Sequence, residues 1–430
     1  MEGPQEGAME PFQVGDSLQI GRYFLEVMLH EYQQGELELV PASNSSSSTD
    51  SSSSTDSSSR SSNHELNLGP MVIDMGTRSF RAGFSGHYSP CAEVGTLVSR
   101  RMSSEEGRAS TIIGKKALLY SDAETIEVMH DGFVINWEAA GSLCKYLLEH
   151  KLQVNPNEHA LLLTEPLFSP IAGREKMAEM AFEMLGTPGL FVASQPVLSA
   201  YAYGKINALV LDMGHEATRV VPVLEGKSMA RSSKLTDIAG RCLTWYLSTL
   251  LNDAGHVLSD GMSHMVEIIK RACYVAADFQ SECLLPPSSH TVDISLPDGM
   301  KLTLGKERFQ CPEVLFNPPS SWGESFVSIQ ETVRKCLMHL PKDIIPTMSA
   351  NILLCGGSSL FKGIDQRLCH ELLDHLPPGL MVQVGSLDLK RHAAWTGGSI
   401  LASLHNFQSC WIRRDEYHES GSCIVHQKCF

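Results

Sequence analysis

A strand ending in Asp-Met-Gly occurs twice in this chain, each time followed by a stretch that alternates apolar and polar residues. The first copy is MVIDMG at 71–76, followed by SFRAGFSG; the second is ALVLDMG at 208–214, followed by ATRVVPVLEG at 217–226. Short apolar runs closed by Asp and Gly read as buried strands, and the alternating stretches as their antiparallel hairpin returns. Asp74 and Asp212 stand 138 residues apart, a domain-sized period too long for a solenoid repeat. The economical outcome is two related α/β domains facing each other across a cleft.

The remaining pattern fits that outcome. Helices are predicted over Trp137–His150, Gly173–Leu185, Ile238–Leu251 and Met265–Phe279, with Pro188-Gly189 and Pro297 to Gly299 punctuating the joins. A length of 430 residues with 43% hydrophobic side chains is enough to close cores in two or three units. The formal net charge of −15 argues against a sequence-independent grip on nucleic acid. No run approaches the roughly 20 apolar residues that span a bilayer, and the acidic N-terminus lacks a signal pattern, so an intracellular protein is expected. Twelve cysteines without a CxxC pair read as reduced thiols, buried at positions such as Cys144, Cys273 and Cys355, with Cys429 near the C-terminus expected to be reachable by reagents.

Residues 1–69 form an N-terminal extension of different composition. Residues 42–63 are almost entirely Ser, Thr, Asp and Asn, including SSSSTD twice in succession at 45–50 and 51–56. Such a tract buries too little apolar area to offset its ordering entropy and reads as a flexible tether and a candidate for phosphorylation. Before it, Leu18, Ile20, Phe24, Val27 and Met28 mark a predicted helix over 17–34 with Gly35 as its stop. That helix either folds onto its own domain or docks into a partner's groove.

The repeated strand ends carry chemistry. A glycine after the strand lets backbone N–H groups approach phosphate oxygens, and an aspartate at the strand's C-terminal end suits hydrated Mg²⁺. From Met71 to Phe430 the chain resembles actin and the actin-like proteins. The resemblance rests on DMGTRSFRAGF, GFVINWEA, LLLTEPLFSPIAGREKM, LDMGHEATRVVPVLEG, AGRCLTWYL, CYVAADF, LLCGGSSLFKG, WTGGSILASLHNFQSCWI and EYHESGSCIVHQKCF, in the family's order.

The resemblance implies an actin-like two-lobed α/β fold, built of duplicated ribonuclease H-like α/β domains in four subdomains around a central cleft. The first would comprise 70–95, 128–202 and 392–430; the second 96–127; the third 203–238 and 324–391; the fourth 239–323. It also implies ATP and Mg²⁺ between the lobes, slow hydrolysis and filament assembly. Asp74 and Asp212 fall at the family's metal-water aspartates and Gln195 at its water-orienting glutamine. Gly76, Thr77, Gly214 and Thr218 fall in its phosphate loops, Arg81 at its phosphate-binding lysine, and Gly356, Gly357 and Arg391 on its base side.

Departures from the family pattern weigh against that chemistry. Arg78 replaces a loop glycine, His215 and Glu216 replace an aspartate and a glycine, Arg219 replaces a histidine, and Ile269-Lys270 replaces the Lys-Glu pair that holds the nucleoside. A carboxylate about 4 Å from a phosphate charge costs roughly 4 kcal/mol at an effective dielectric of 20. That is nearly three decades of affinity. A degenerate nucleotide site and a pseudo-ATPase are therefore expected, with Asp74, Gln195 and Asp212 vestigial. Arg78 and Glu216, of opposite charge on opposed turns, are expected to pair across the cleft as an internal clamp, with Arg81 and Arg219 as alternative cations. Asp131 stands where conventional actin has its methylated histidine, so that modification is not expected.

Assembly surfaces differ as well. The loop within Met102–Ser110 is short, and the plug region NPPSSWGES has Ser320 and Ser321 where apolar residues would be, leaving Trp322 alone. Conventional homopolymers are not expected. Tyr201, Ile400 and Leu404 align with the apolar lining of the family's target-binding groove, where cytoskeletal or actin-binding proteins would dock; Cys410 replaces a larger residue there. The expected function is a structural or adaptor protein of a cytoplasmic cytoskeletal assembly, similar to the divergent actin-like proteins of the male germ-cell cytoskeleton. The alternatives are a polymerising ATPase and an actin-related subunit of a nuclear chromatin complex.

Overall fold

A computed structural model describes residues 69–102, 109–120, 122–256, 263–297 and 299–429 of the chain. The predicted helix at 17–34, the serine tract and most of the 102–110 loop lie outside the described residues.

Both sequence repeats form the hairpins their patterns require. Met71–Met75 pairs antiparallel with Ser79–Phe84, and Ala208–Met213 with Thr218–Leu224. Every residue of the first strand is buried, as expected of a strand covered on both faces. Each hairpin seeds one sheet. In the first, Leu161–Glu165 and Gly189–Ser194 extend the order in parallel beyond Met71–Met75, and Ala92–Gly95 continues past Ser79–Phe84. In the second, Ile352–Cys355 pairs in parallel with Ala208–Met213. Helices between parallel neighbours cover the sheets, so the two larger apolar clusters include Ile73, Leu162 and Val192 in one lobe and Leu211, Val220 and Leu354 in the other. This is the two-lobed α/β fold that the resemblance implies.

Three of the predicted helices form with shifted ends. Asn136 caps Trp137–Lys145 by accepting from the Ala139 N–H, and the coil then widens into π-type turns over Tyr146–Lys151. Ile171–Glu179 continues in the same manner over Met180–Met184, and the third helix runs Gly240–Asp253. The fourth prediction, one helix over Met265–Phe279, is wrong. Ser263–Ile269 tightens into a 3₁₀ turn at Lys270–Ala272, Tyr274 then bridges to Lys362 in extended form, and a new helix, Phe279–Leu284, starts behind the Asp278 cap.

The helices Gln195–Ala202 and Ala393–Ser403 join the lobes at the base of the cleft. They approach so closely that a Cβ on Gly397 would stand 1.7 Å from the Leu198 carbonyl oxygen. Trp395 is fully buried beside them and donates its indole N–H to the Val72 carbonyl at 3.0 Å. This seam fixes Gln195 at the start of its helix and the first strand end opposite it.

Two surface expectations change. Cys429 is buried with 3% exposure, its sulfur 3.2 Å from the Val192 backbone nitrogen, because the C-terminal helix Val425–Lys428 seats it against the first sheet. All twelve cysteines are free thiols, Cys144, Cys273 and Cys355 are buried as expected, and the exposed ones are Cys91 and Cys423. Trp322 does not stand alone: it packs edge-on against Trp245, Tyr246 and Phe326, with ring centroids 5.4–5.7 Å away.

Candidate functional site

The two Asp-Gly strand ends produce two matching turns. In each, the glycine N–H donates to the carbonyl three residues on, Gly76 to Ser79 and Gly214 to Ala217, both at 3.2 Å. A Cβ at either glycine would stand 2.9 or 3.0 Å from that carbonyl oxygen, so both turns close only around glycine. The hairpin registers match too, with Asp74 opposite Arg81 and Asp212 opposite Arg219. Between the turns lies a cavity of roughly 440 Å³, lined by Asp74, Gly76, Thr77, Arg81, Gln195, Asp212, Gly214, Gly356, Gly357 and Arg391 from the predicted set.

Both oxygens of Asp74 accept from protein donors. Arg81 Nη1 donates to its Oδ2 at 2.9 Å; the Thr164 hydroxyl at 2.8 Å and the Gln195 amide at 3.2 Å donate to its Oδ1. Arg81 follows from the register: an arginine directly across an antiparallel pair reaches the carboxylate without distortion. Its side chain also lies 3.4 Å from Glu93, which in turn accepts from Arg391 at 2.6 Å and from the Ser79 hydroxyl at 2.5 Å. Burial opposes ionisation of Glu93, but the Ser79 hydrogen bond and these two cations hold its carboxyl below the usual range. Next to them, burial first and Arg81 second push the His392 pKa down to about 4, and its Nδ1 has no hydrogen-bond partner.

Across the cavity, Asp212 differs from its counterpart. Burial pushes its carboxyl pKa up against the opposing pull of Arg219. Arg219 itself turns away to donate to the Asp131 carbonyl at 2.7 Å, tying the second hairpin to the 131–132 turn. His215 is held neutral, with a pKa pushed down to about 4 by burial and then by Arg78.

The expected clamp between Arg78 and Glu216 does not form. Glu216, with a side chain only 8% exposed, faces Arg241 of its own lobe at 3.7 Å and keeps its Oε2 buried without a hydrogen-bond partner. Arg78 instead reaches Glu267 at 3.1 Å. Glu267 projects from the helix Ser263–Ile269 one turn before Lys270, which it binds at 2.8 Å, and it also accepts from the Thr244 hydroxyl. Burial would raise its carboxyl pKa, but Lys270, Thr244 and Arg78 together lower it. Lys270, which stands where the family has the glutamate of its Lys-Glu pair, is thus itself neutralised by Glu267. The inter-lobe ion pair exists with a different acid, since the side chain on a turn points where the backbone sends it and charge alone does not reveal that direction.

Other predicted residues fall outside the cavity. Thr218 is fully buried and donates its hydroxyl to the Ile238 carbonyl at 2.6 Å, so it holds the hairpin rather than a phosphate. Tyr201, Ile400 and Leu404 expose only 8%, 5% and 2%, inside the first lobe's core, so they do not line an open groove. Sequence reasoning missed Thr164, Glu93 and Glu267. Only Glu267 left a signal, its i,i+3 spacing from Lys270 on a predicted helix.

With paired phosphate-loop-like turns facing one cavity, the comparisons with known proteins become decisive. The actin family model matches residues 65–259 and 260–430. The chain belongs to the actin family. It is 42% identical over 367 residues to actin-like protein 9 of Homo sapiens, a match covering 84% of this chain and 88% of the relative. Actin-like protein 7B of Homo sapiens is 36% identical over 367 residues, with the same coverage of both chains. Actin-like protein 7A of Rattus norvegicus is 36% identical over 370 residues, covering 84% and 83%. This is therefore a divergent actin-like protein.

Family membership suggests ATP and Mg²⁺, and this donor set can be tested against each. Glycine turns at 76 and 214 leave backbone near the cavity, which suits an anion. The metal fits poorly. Both oxygens of Asp74 already accept from protein donors, one of them a guanidinium, and burial disfavours the charged form of Asp212. Mg²⁺ or its water shell would have to compete with these donors for the Asp74 oxygens.

Proposed function

We propose that this actin-like protein is a structural or adaptor component of a cytoskeletal assembly, with its cleft closed by its own ion pairs and without ATP turnover. The observation that carries the reading is the hydrogen-bonded set on Asp74. Arg81 supplies the positive charge at the strand end, and the Gln195 amide is spent on Asp74 and Thr164. A glutamine held in this way does not orient a water for attack on a phosphate. The second bridge, Arg78 to Glu267, and the third, Arg391 to Glu93, support the same reading by linking the lobes with protein charges alone.

Assembly through protein partners in the cytoplasm follows from this reading. Conventional self-assembly does not, since the plug segment presents Ser320 and Ser321, and its Trp322 is occupied within its own lobe. Purified full-length chain should release no phosphate from ATP with Mg²⁺ above a no-protein control, and its pelleted fraction should not rise with concentration past a threshold. Phosphate release coupled to a critical concentration for pelleting would replace this reading with that of a polymerising ATPase.

A further inference from the structure

A second cavity, of about 220 Å³, adjoins the cleft in the first lobe and shares Met75 and Pro166 with it. Met129, Phe133, Trp137 and Met177 also line it, so its wall is largely apolar. Sites for drug-sized molecules usually start near about 300 Å³, so this space suits one large apolar side chain better than a cofactor.

The surface around the cavity is apolar as well. Ile135, Phe168 and Ile171 each adjoin a lining residue in sequence, and they are 54%, 49% and 72% exposed. Single exposed apolar side chains are ordinary, whereas three of them around one apolar cavity make a patch. Phe168 is also held at φ +67°, a left-handed conformation that bulky residues rarely adopt and that persists mainly at binding and switch sites.

The point where the described chain begins indicates what covers this patch. Gly69 leads directly into the strand Met71–Met75, whose last residue lines the cavity, so entry point and cavity are about 20 Å apart along the strand. A Ser-rich linker of the length of residues 35–68 spans roughly 30 Å between its ends. A tether whose span is comparable to the gap it must cross gives its cargo an effective concentration of millimolar order, an advantage that a separate partner lacks. Beyond that linker lies the segment 17–34, with Leu18, Ile20, Phe24, Val27 and Met28 on the stripe of its predicted helix. Such a stripe has to be buried against something. Phe24 is the one side chain of the segment with a wholly apolar ring.

We propose that segment 17–34 docks in cis on this patch, with Phe24 in the cavity and the neighbouring apolar residues against Ile135, Phe168 and Ile171. The patch is thereby an intramolecular docking surface, and the N-terminal extension is a part of the first lobe's exterior rather than an arm for another protein.

Photo-cross-linking of the full chain tests this. A phenylalanine analogue with a photoreactive ring is placed at position 24, the chain is irradiated at low concentration, and an equal amount of isotope-labelled chain without the analogue is present. Expected are cross-links to peptides within 129–137 and 166–177 of the same, unlabelled chain. Ile171→Asp, at a site exposed enough to leave the unfolding midpoint in place, should reduce their yield about tenfold, the scale of one lost apolar anchor. Cross-links to the labelled chain would overturn docking in cis and assign the patch to a second copy. Cross-links elsewhere on the same chain, none at all, or a yield that Ile171→Asp leaves unchanged would each overturn the proposal.

Discussion

Arg81 and Asp74 face each other across the first hairpin, and the guanidinium Nη1 sits 2.9 Å from the carboxylate Oδ2. The second hairpin repeats that register with Arg219 and Asp212, yet there the arginine turns out to donate to the Asp131 carbonyl instead of pairing with its aspartate. One pattern in sequence thus gives two electrostatic outcomes: a closed ion pair on one lobe and, on the other, an acid whose carboxyl pKa burial pushes up.

The Arg81–Asp74 pair is nearly buried, with side chains 12% and 6% exposed. Cutting one side strands a charge, so Arg81→Met should destabilise the fold by about 3 kcal/mol in urea unfolding. Arg81→Lys keeps the charge but loses the fork that also approaches Glu93, and should recover about half of that loss. Equal losses for the two variants would show that packing of the side chain, and not its charge, is what matters.

A double-mutant cycle distinguishes the two acids that compete for Arg78. Because Arg78 is 47% exposed, its coupling to Glu267 should be modest, about 0.5 kcal/mol after solvent screening. Coupling between Arg78 and Glu216 should be zero within error. Glu216→Gln alone should be neutral or stabilising, because it removes a buried carboxylate whose Oε2 has no hydrogen-bond partner.

The cleft histidines give the fold an acid-side pH dependence. Burial lowers the pKa of His215 and His392 from 6.5 to about 4 in the fold, so the unfolded chain takes up their protons first. Their contribution is complete above pH 6.5 and is lost as pH falls toward 4. Each should remove about 1 kcal/mol by roughly pH 5.5, a range in which most carboxylates remain ionised. His392→Gln should flatten the stability profile between neutrality and that pH, and an unchanged slope would show that His392 is already charged in the fold.

Thiol labelling of the native chain should modify Cys91 and Cys423 first. Cys429 should react only on unfolding, since it is buried and its thiol pKa is pushed up to about 12 by that burial.

Gly397→Ala should be among the most damaging single substitutions in the first lobe. Its methyl would overlap the Leu198 carbonyl, and the two helices can separate only by opening the core around fully buried Trp395. A loss of about 3 kcal/mol or failure to accumulate folded protein is expected.

The strands, hairpins and paired turns were legible because their determinants are local: an apolar run, an Asp-Gly end, an alternating return. Gln195 and Arg81 were placed only through the family resemblance, since nothing local marks them, whereas Asp74 also stands at the strand end that the local pattern shows. Glu267 could not be placed, since its value depends on two lobes bringing it within 3.1 Å of Arg78, and nothing in the helix pattern encodes that approach. The direction of Glu216 was equally hidden, because a turn residue's charge is visible in sequence and its rotamer is not. Cys429 misled through its position, as a residue next to the chain end looks exposed until the end docks. The groove assigned to Tyr201, Ile400 and Leu404 failed similarly: apolar residues at helix spacing serve a core or a docking face alike, and here they serve the core.

The central claim is that protein charges, and not a bound metal, hold the cleft strand ends together. Thermal unfolding of the full chain before and after exhaustive chelation with EDTA tests it most directly. The expected result is an unchanged midpoint, because no metal contributes to the folded state. A drop of several degrees on chelation, restored by Mg²⁺ and abolished by Asp74→Asn, would amount to a loss of about 1 kcal/mol or more and would contradict it.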